Sequence, residues 1–234
     1  MAEERIAERI DANLLDVTME DLHDMPQQLY EGKITKLREK TQGQLVIKEY
    51  PTASAHSGHF KSLMNELALK KSFRPDVIFI DYLNICASSR FKGGNISSYF
   101  YVKAIAEELR GLAVEFNVPI FSATQTTRTG YVSTDIGLED TSESFGLPAT
   151  ADFMFALISN EELEALGQMK VKQLKNRYND PSINRAFIIG VDRAKMRLYD
   201  VQQKAGDIVD ANQVDEKEDA YNKFSDFKVW GIEI

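Results

Sequence analysis

The 234-residue chain is 43% hydrophobic and 27% charged with a formal net charge of −8, which provides for one sizeable core and argues against indiscriminate nucleic-acid binding over the whole surface. Cys86 is the only cysteine, no apolar run approaches the roughly 18 residues of a membrane span, and the opening MAEERIAERI is a charged helical pattern rather than a signal peptide. A soluble, reducing, cytoplasmic setting without membrane contact is the expectation.

In chain order, Ala2–Leu14 reads as a helix, and TMED, starting at Thr18, as the start of a short one with Asp21 at the capping-box position. Pro26 suits a first helical turn, after which Leu29, Tyr30, Ile34 and Leu37 follow at helical spacing. QLVIKEY, Gln44–Tyr50, reads as a strand, and Phe60, Leu63, Met64 and Leu67 mark a helix that stops near Pro75. Val77–Ile80 shows no polar alternation, so it reads as a strand covered on both faces, emerging at Asp81. A Gly- and Ser-rich loop, Ser88–Ser98, leads to a long helix with the stripe Val102, Ile105, Ala106, Leu109, Leu112, Ala113 and Phe116. VPIFSATQ is a second buried strand ending at Gln125, and DFMFALIS, beyond a long polar loop, a third. Ser159 and Glu162 form a capping box for a short helix closed by Gly167. MKVKQLKNR, NRAFIIGVDR and MRLYDVQ then read as antiparallel strands with turns at YNDPS and RAK.

Strands separated by helices predict an α/β fold, a mostly parallel sheet with antiparallel edge strands, whose ligands bind at the carboxyl ends of the strands. Asp81 and Gln125 both sit there. An apolar strand ending in Asp is how P-loop NTPases present the carboxylate that holds Mg²⁺ beside a triphosphate, and a strand-end glutamine can orient a γ-phosphate or water. Each has a plainer reading, a helix or turn cap for Asp81 and a strand-end hydrogen bond for Gln125. Lys175 and Arg177 alternate on a strand and project from one face, where two cations want an anion, or else line a solvated edge. Nine basic residues against three acidic make Gln168–Lys204 a basic segment in an acidic protein.

VIFIDYLNI, ELRGLAVEFNVPIFSATQ, SESFGLPATADFMFAL and KNRYNDPS, in this order, resemble the carboxyl-terminal RecA-like domain of DnaB-like hexameric replicative helicases, in particular those of T-even bacteriophages. The resemblance runs from Met1 to about Gln203 and implies a RecA-like P-loop NTPase core. It makes Asp81 the metal-holding aspartate, Gln125 the glutamine that senses the γ-phosphate, and Lys175 and Arg177 a basic pair reaching into the neighbouring subunit's site, with Arg177 the arginine finger. All four become candidate catalytic and ATP-binding residues. The loops after Asp81 and Gln125 correspond to those facing single-stranded DNA in a central channel, which nominates Arg90, Lys92 and Arg128 for phosphate contacts. Ser142, Glu143, Ser144 and Gly146 occupy the family's backbone-contacting turn, with Ser142 where bacterial relatives often carry Arg.

Nowhere in the 234 residues is there a G-x-x-x-x-G-K-S/T loop, so the nest of N–H groups and the lysine that grip phosphates are lacking. In the family, that loop and the catalytic glutamate lie just before the helix matched by MAEERIAERI. The resemblance therefore implies a core truncated at its N-terminal side, with little ATPase activity alone, and an amino-terminal helicase fragment as partner, as from a split gene. ATP and Mg²⁺ are expected only with that fragment present.

Residues 1–204 are read as the RecA-like portion and 205–234 as an acidic tail, in which Gly206–Ile234 has eight acidic and three basic side chains. Tyr221, Phe224, Phe227 and Trp230 in the tail form one helical face, which either folds back on the domain or docks a primase, helicase loader or other replisome partner. His56 and His59 lack a third metal ligand nearby and read as part of a helix start, while Cys86 reads as a small packing residue. The functional expectation is an ATP-dependent replicative DNA helicase working as a hexameric ring. The alternative is a non-hydrolysing RecA-like fragment that binds helicase subunits or replisome proteins.

Overall fold

The computed structural model describes residues 2–91, 96–126, 137–138, 146–180 and 183–201. Four helices open the chain: α1 (Glu3–Leu15), α2 (Met19–His23), α3 (Gln27–Lys40) and α4 (Ser57–Lys71). Glu3 and Glu4 in the first turn of α1 complement the helix dipole. Thr18 caps α2 as its sequence predicts, accepting from the Asp21 N–H at 3.0 Å while its hydroxyl donates to the Asp21 carboxylate at 2.7 Å. Pro26 stands one place earlier than anticipated, at the N-cap of α3 rather than within its first turn.

The His56–His59 spacing finds its explanation at the start of α4. His56 Nδ1 accepts from the Gly58 N–H at 3.0 Å, and His59 Nδ1 accepts from the His56 N–H at 3.2 Å, a reciprocal capping box built from two imidazoles. No group of three or more potential metal-ligating side chains exists among the described residues.

Beyond α4 come β1 (Ile78–Ile80), α5 (Ser98–Phe116) and β2 (Ile120–Ser122), with β1 and β2 paired in parallel through Ile78↔Ile120, Phe79↔Phe121 and Ile80↔Ser122. The apolar stripe of α5 is the centre of the core. Val102, Ile105, Ala106 and Leu109 are buried with Leu83, Cys86 and Leu147, and Ile80 and Phe60 pack against them. The rest of the chain supplies α6 (Gly146–Thr150), β3 (Phe153–Ile158), α7 (Glu161–Ala165), β4 (Gln168–Asn176), β5 (Ala186–Asp192) and β6 (Arg197–Asp200). These strands form an antiparallel sheet in the order β3-β4-β5-β6, as the turn signals predict for β4 to β6. Gly190 faces Tyr199 in that sheet, and a Cβ there would stand 2.3 Å from the tyrosine ring. The α/β class follows from helices laid around one parallel and one antiparallel sheet.

The turn between β5 and β6 grips the link after α1. Asn13 donates to the Met196 carbonyl at 2.7 Å, the Met19 N–H to the Ala194 carbonyl at 2.9 Å, and Asp16 receives Lys195 at 3.2 Å and Arg197 at 2.9 Å. Hydrogen bonds from Lys195 and Arg197 hold the Asp16 carboxyl below its usual range.

Three expectations need correction. Gln44–Tyr50 is not a strand: a β-ladder needs a partner edge, and the Glu49 N–H is instead taken by the Glu3 carboxylate at 2.9 Å. The strands read as covered on both faces are covered on one. Phe79 is 73% exposed and stacks on Phe121, 49% exposed, at 5.2 Å between ring centroids. On β3, Ala156 and Ile158 are buried whereas Phe153, Phe155 and Leu157 are exposed. Finally, α7 is capped by Asn160, which accepts from the Leu163 N–H at 2.8 Å, while Ser159 bonds Glu164. Gly167 closes that helix with a φ of +61°, as anticipated.

Candidate functional site

Parallel pairing brings the carboxyl ends of β1 and β2 to the same edge, and the chain beyond them is stitched together. The Ser122 hydroxyl donates to the Ile80 carbonyl at 2.8 Å, the Leu83 N–H to the Ala123 carbonyl at 3.1 Å, and Thr124 to the Asn84 side chain at 2.8 Å. Asp81 follows β1 directly and is exposed, with no hydrogen bond or ion pair among the described residues. Gln125 lies exposed beyond β2, its amide 3.5 Å from the Tyr82 hydroxyl. The edge thus offers one unpaired carboxylate and one carboxamide. Such a donor set fits an octahedral Mg²⁺ held mainly by water and phosphate oxygens, and is too small for a cation held by protein alone.

Lys175 and Arg177 come together at a second place, around α6. The Lys175 ammonium donates to the Pro148 carbonyl. Arg177 pairs with Asp152 at 3.1 Å and its N–H donates to the Asp152 carbonyl at 2.9 Å, while Arg110 of α5 takes the other carboxylate oxygen at 2.8 Å. Burial opposes ionisation of Asp152, but hydrogen bonds from Arg110 and Arg177 outweigh it and hold the carboxyl below its usual range. The guanidinium of Arg177 stays largely exposed. Among the described residues, no hydrogen bond or ion pair links this group to Asp81 or Gln125.

The start of the loop after β1 is fixed by a residue that the sequence reading did not single out. Glu108 of α5 accepts from Ser88 Oγ at 2.6 Å, from Ser89 N–H at 2.9 Å and Oγ at 2.7 Å, and from Ser57 Oγ at 2.9 Å. Desolvation would raise its pKa, but bonds from Ser88, Ser89 and Ser57 prevail and lower it to about 2. Arg90 pairs with Glu107 at 2.5 Å. Gly146 is buried as the first residue of α6, its carbonyl accepting from the Thr150 hydroxyl at 2.9 Å. Lys92, Arg128, Ser142, Glu143 and Ser144 lie outside the described residues, as does the tail from 205 onward.

Glu108, Asp152 and Tyr82 are the additions that the structure makes. Nothing local marks the first two, since Asp152 meets Arg177 across 25 positions and Glu108 meets Ser88 across 20. Cys86 is buried, and burial pushes its thiol pKa up, in keeping with a packing role. No helix among the described residues is long and apolar enough to cross a membrane.

A family model, the DnaB-like helicase C terminal domain, matches residues 1–198. The chain is 43% identical over 231 residues to a DnaB-like replicative helicase of Enterobacteria phage T4, covering 95% of this chain and 49% of that protein. It is 34% identical over 133 residues to a probable plasmid replicative DNA helicase of Chlamydia trachomatis, covering 55% of this chain and 27% of that one. The chain therefore spans about half the length, or less, of these curated relatives. Among solved structures, an isolated ATPase domain superposes with a TM-score of 0.69 at 16% identity, over 86% of this chain and 72% of that one. A DnaB-like replicative helicase, described with its interactions with primase, gives 0.68 at 16% identity, over 86% and 49%. At that identity the likeness speaks for the RecA-like fold alone.

Proposed function

The chain belongs to the DnaB-like helicase C-terminal domain family, and from that premise we propose that it is the carboxyl-terminal motor portion of an ATP-dependent replicative DNA helicase. Its substrates are ATP and single-stranded DNA, its assembly a hexameric ring, and its place of work the cytoplasm, that of the host cell for a phage protein. The observation that carries the reading is the shared edge of β1 and β2, where unpaired Asp81 and exposed Gln125 follow the carboxyl ends of two paired strands.

Each residue has a part that follows from its chemistry. Asp81 holds the water shell of a Mg²⁺ ion, and Gln125 hydrogen-bonds the γ-phosphate or the attacking water. A bound Mg²⁺ supplies charge neutralisation at the phosphates. Arg177 and Lys175 present cations to the nucleotide of a neighbouring subunit, with Asp152 and Arg110 keeping the Arg177 guanidinium oriented until it engages. Arg90, Lys92 and Arg128, with the turn at Ser142, Glu143, Ser144 and Gly146, face the DNA backbone.

Asp81 and Gln125 alone make too few charge-assisted contacts to retain a triphosphate. The phosphate loop is therefore supplied by polypeptide outside these 234 residues. The bare faces of β1, β2 and β3 support this. Phe79, Phe121, Phe153, Phe155 and Leu157 are all exposed there, and burying each is worth roughly 1.5–3 kcal/mol. The solved ATPase domain is matched over 72% of its length, so the fold has further chain to contribute.

The test is ATP hydrolysis with and without single-stranded DNA, by the chain alone and mixed with a segment carrying the phosphate loop. The expected result is turnover only in the mixture, stimulated by DNA and abolished by Asp81→Asn. Silence in both would favour a binding module instead.

A further inference from the structure

Two adjacent carboxylates on α5 treat the loop after β1 in opposite ways. Glu108 holds main chain and short hydroxyls: it bonds Ser88, both groups of Ser89 and, at 3.4 Å, the Arg90 N–H. Tyr101, two turns earlier on the same helix, accepts from the Ser88 N–H at 3.1 Å, and Ser88 is buried. Ser57 ties the N-terminus of α4 to the same carboxylate. A simple connection between a strand and a helix does not need its first three residues held this firmly. Glu107, in contrast, touches only the far end of Arg90, and the pair is partly exposed. Lys103 stands 3.9 Å from Glu107 and stays beside it if Arg90 departs. The Arg90 backbone is thus fixed while its guanidinium is exchangeable.

We propose that Glu108 is a positioning residue for single-stranded DNA, aiming Arg90 by fixing residues 88–90, and that Glu107 is a competitor which occupies Arg90 until a backbone phosphate takes its place. This rests on the reading of that loop as DNA-facing. A phosphate accepts the planar guanidinium as a carboxylate does, so the exchange swaps one charge-assisted pair for another. Removing the competitor and removing the positioner must then act with opposite signs.

The experiment is binding of labelled oligothymidylate to the full chain across a salt series, for wild type, Arg90→Ala, Glu107→Gln and Glu108→Gln. Arg90→Ala should weaken binding and reduce the slope of log affinity against log salt by about 0.7, one single-strand phosphate contact. Glu108→Gln should do the same in part, with faster amide exchange at residues 88–90. Glu107→Gln should tighten binding by roughly two- to fivefold, the scale of an exposed ion pair, without lowering the slope. A structural role alone would lower the melting temperature of Glu108→Gln and leave the salt slope unchanged, which would overturn the inference, as would weaker binding by Glu107→Gln. Absence of salt-dependent binding by wild type would overturn both this inference and the reading beneath it. Should Glu108→Gln lose its fold by circular dichroism, Ser89→Ala, which removes one bond to that carboxylate, carries the same expectation at smaller size.

Discussion

The two faces of the β1–β2 pair have unequal fates. One turns Ile80 into the cluster around Ile105, which is 1% exposed, while the other leaves Phe79 73% exposed and stacked only on Phe121. Both faces carry large apolar residues of the kind that parallel sheets bury on both sides. The first face explains why the chain holds together, and the second what it is made to meet. A stable core and an unfinished active site are thus two sides of the same short strands.

Breaking the finished face should have the largest effect. Ile105→Ala removes a side chain at the centre of the core and is expected to cost about 2–5 kcal/mol, read as a lower denaturant midpoint. Breaking the bare face should look different. The double change Phe79→Ser and Phe121→Ser is expected to shift the chain's own stability by less than about 1 kcal/mol, yet weaken association with a phosphate-loop segment tenfold or more. Equal destabilisation by the two sets would mean that the faces do not differ.

The smallest effect concerns the acid limb. Glu108 ionises near 2 in the folded chain against an ordinary value of 4.5, so its contribution is complete above 4.5 and fades as pH falls toward 2. Hydrogen exchange at residues 88–90 should quicken over that window in wild type, whereas Glu108→Gln should already exchange quickly at neutral pH. An identical pH profile in both would remove Glu108 as the anchor.

Much of the fold was legible because periodicity and end signals act locally. The α5 stripe, the Thr18 cap, the Gly167 stop and the β4–β6 antiparallel run each depend on a few neighbouring residues. Gln44–Tyr50 was misread because alternation and β-branching specify a segment able to pair, not the edge it pairs with. The covered-face reading of Val77–Ile80 failed for a related reason: a sequence records the need for a cover without saying which chain provides it. In the site, Asp81 and Gln125 could be placed from the rule that parallel strands present ligands at their carboxyl ends. The Arg110–Asp152–Arg177 cluster and the serine ring around Glu108 could not, because they join residues that only the tertiary fold brings together.

The central claim is that the chemistry is divided between subunits, Asp81 serving its own subunit's nucleotide and Arg177 its neighbour's. It is tested most directly by mixing Asp81→Asn chains with Arg177→Ala chains in the presence of the phosphate-loop segment and single-stranded DNA, and measuring ATP hydrolysis. Each variant alone should be inactive. The mixture should recover activity, because an Arg177→Ala subunit with intact Asp81 then receives its arginine from an Asp81→Asn neighbour. A mixture as inactive as its components would contradict the account and place Arg177 in service of its own chain.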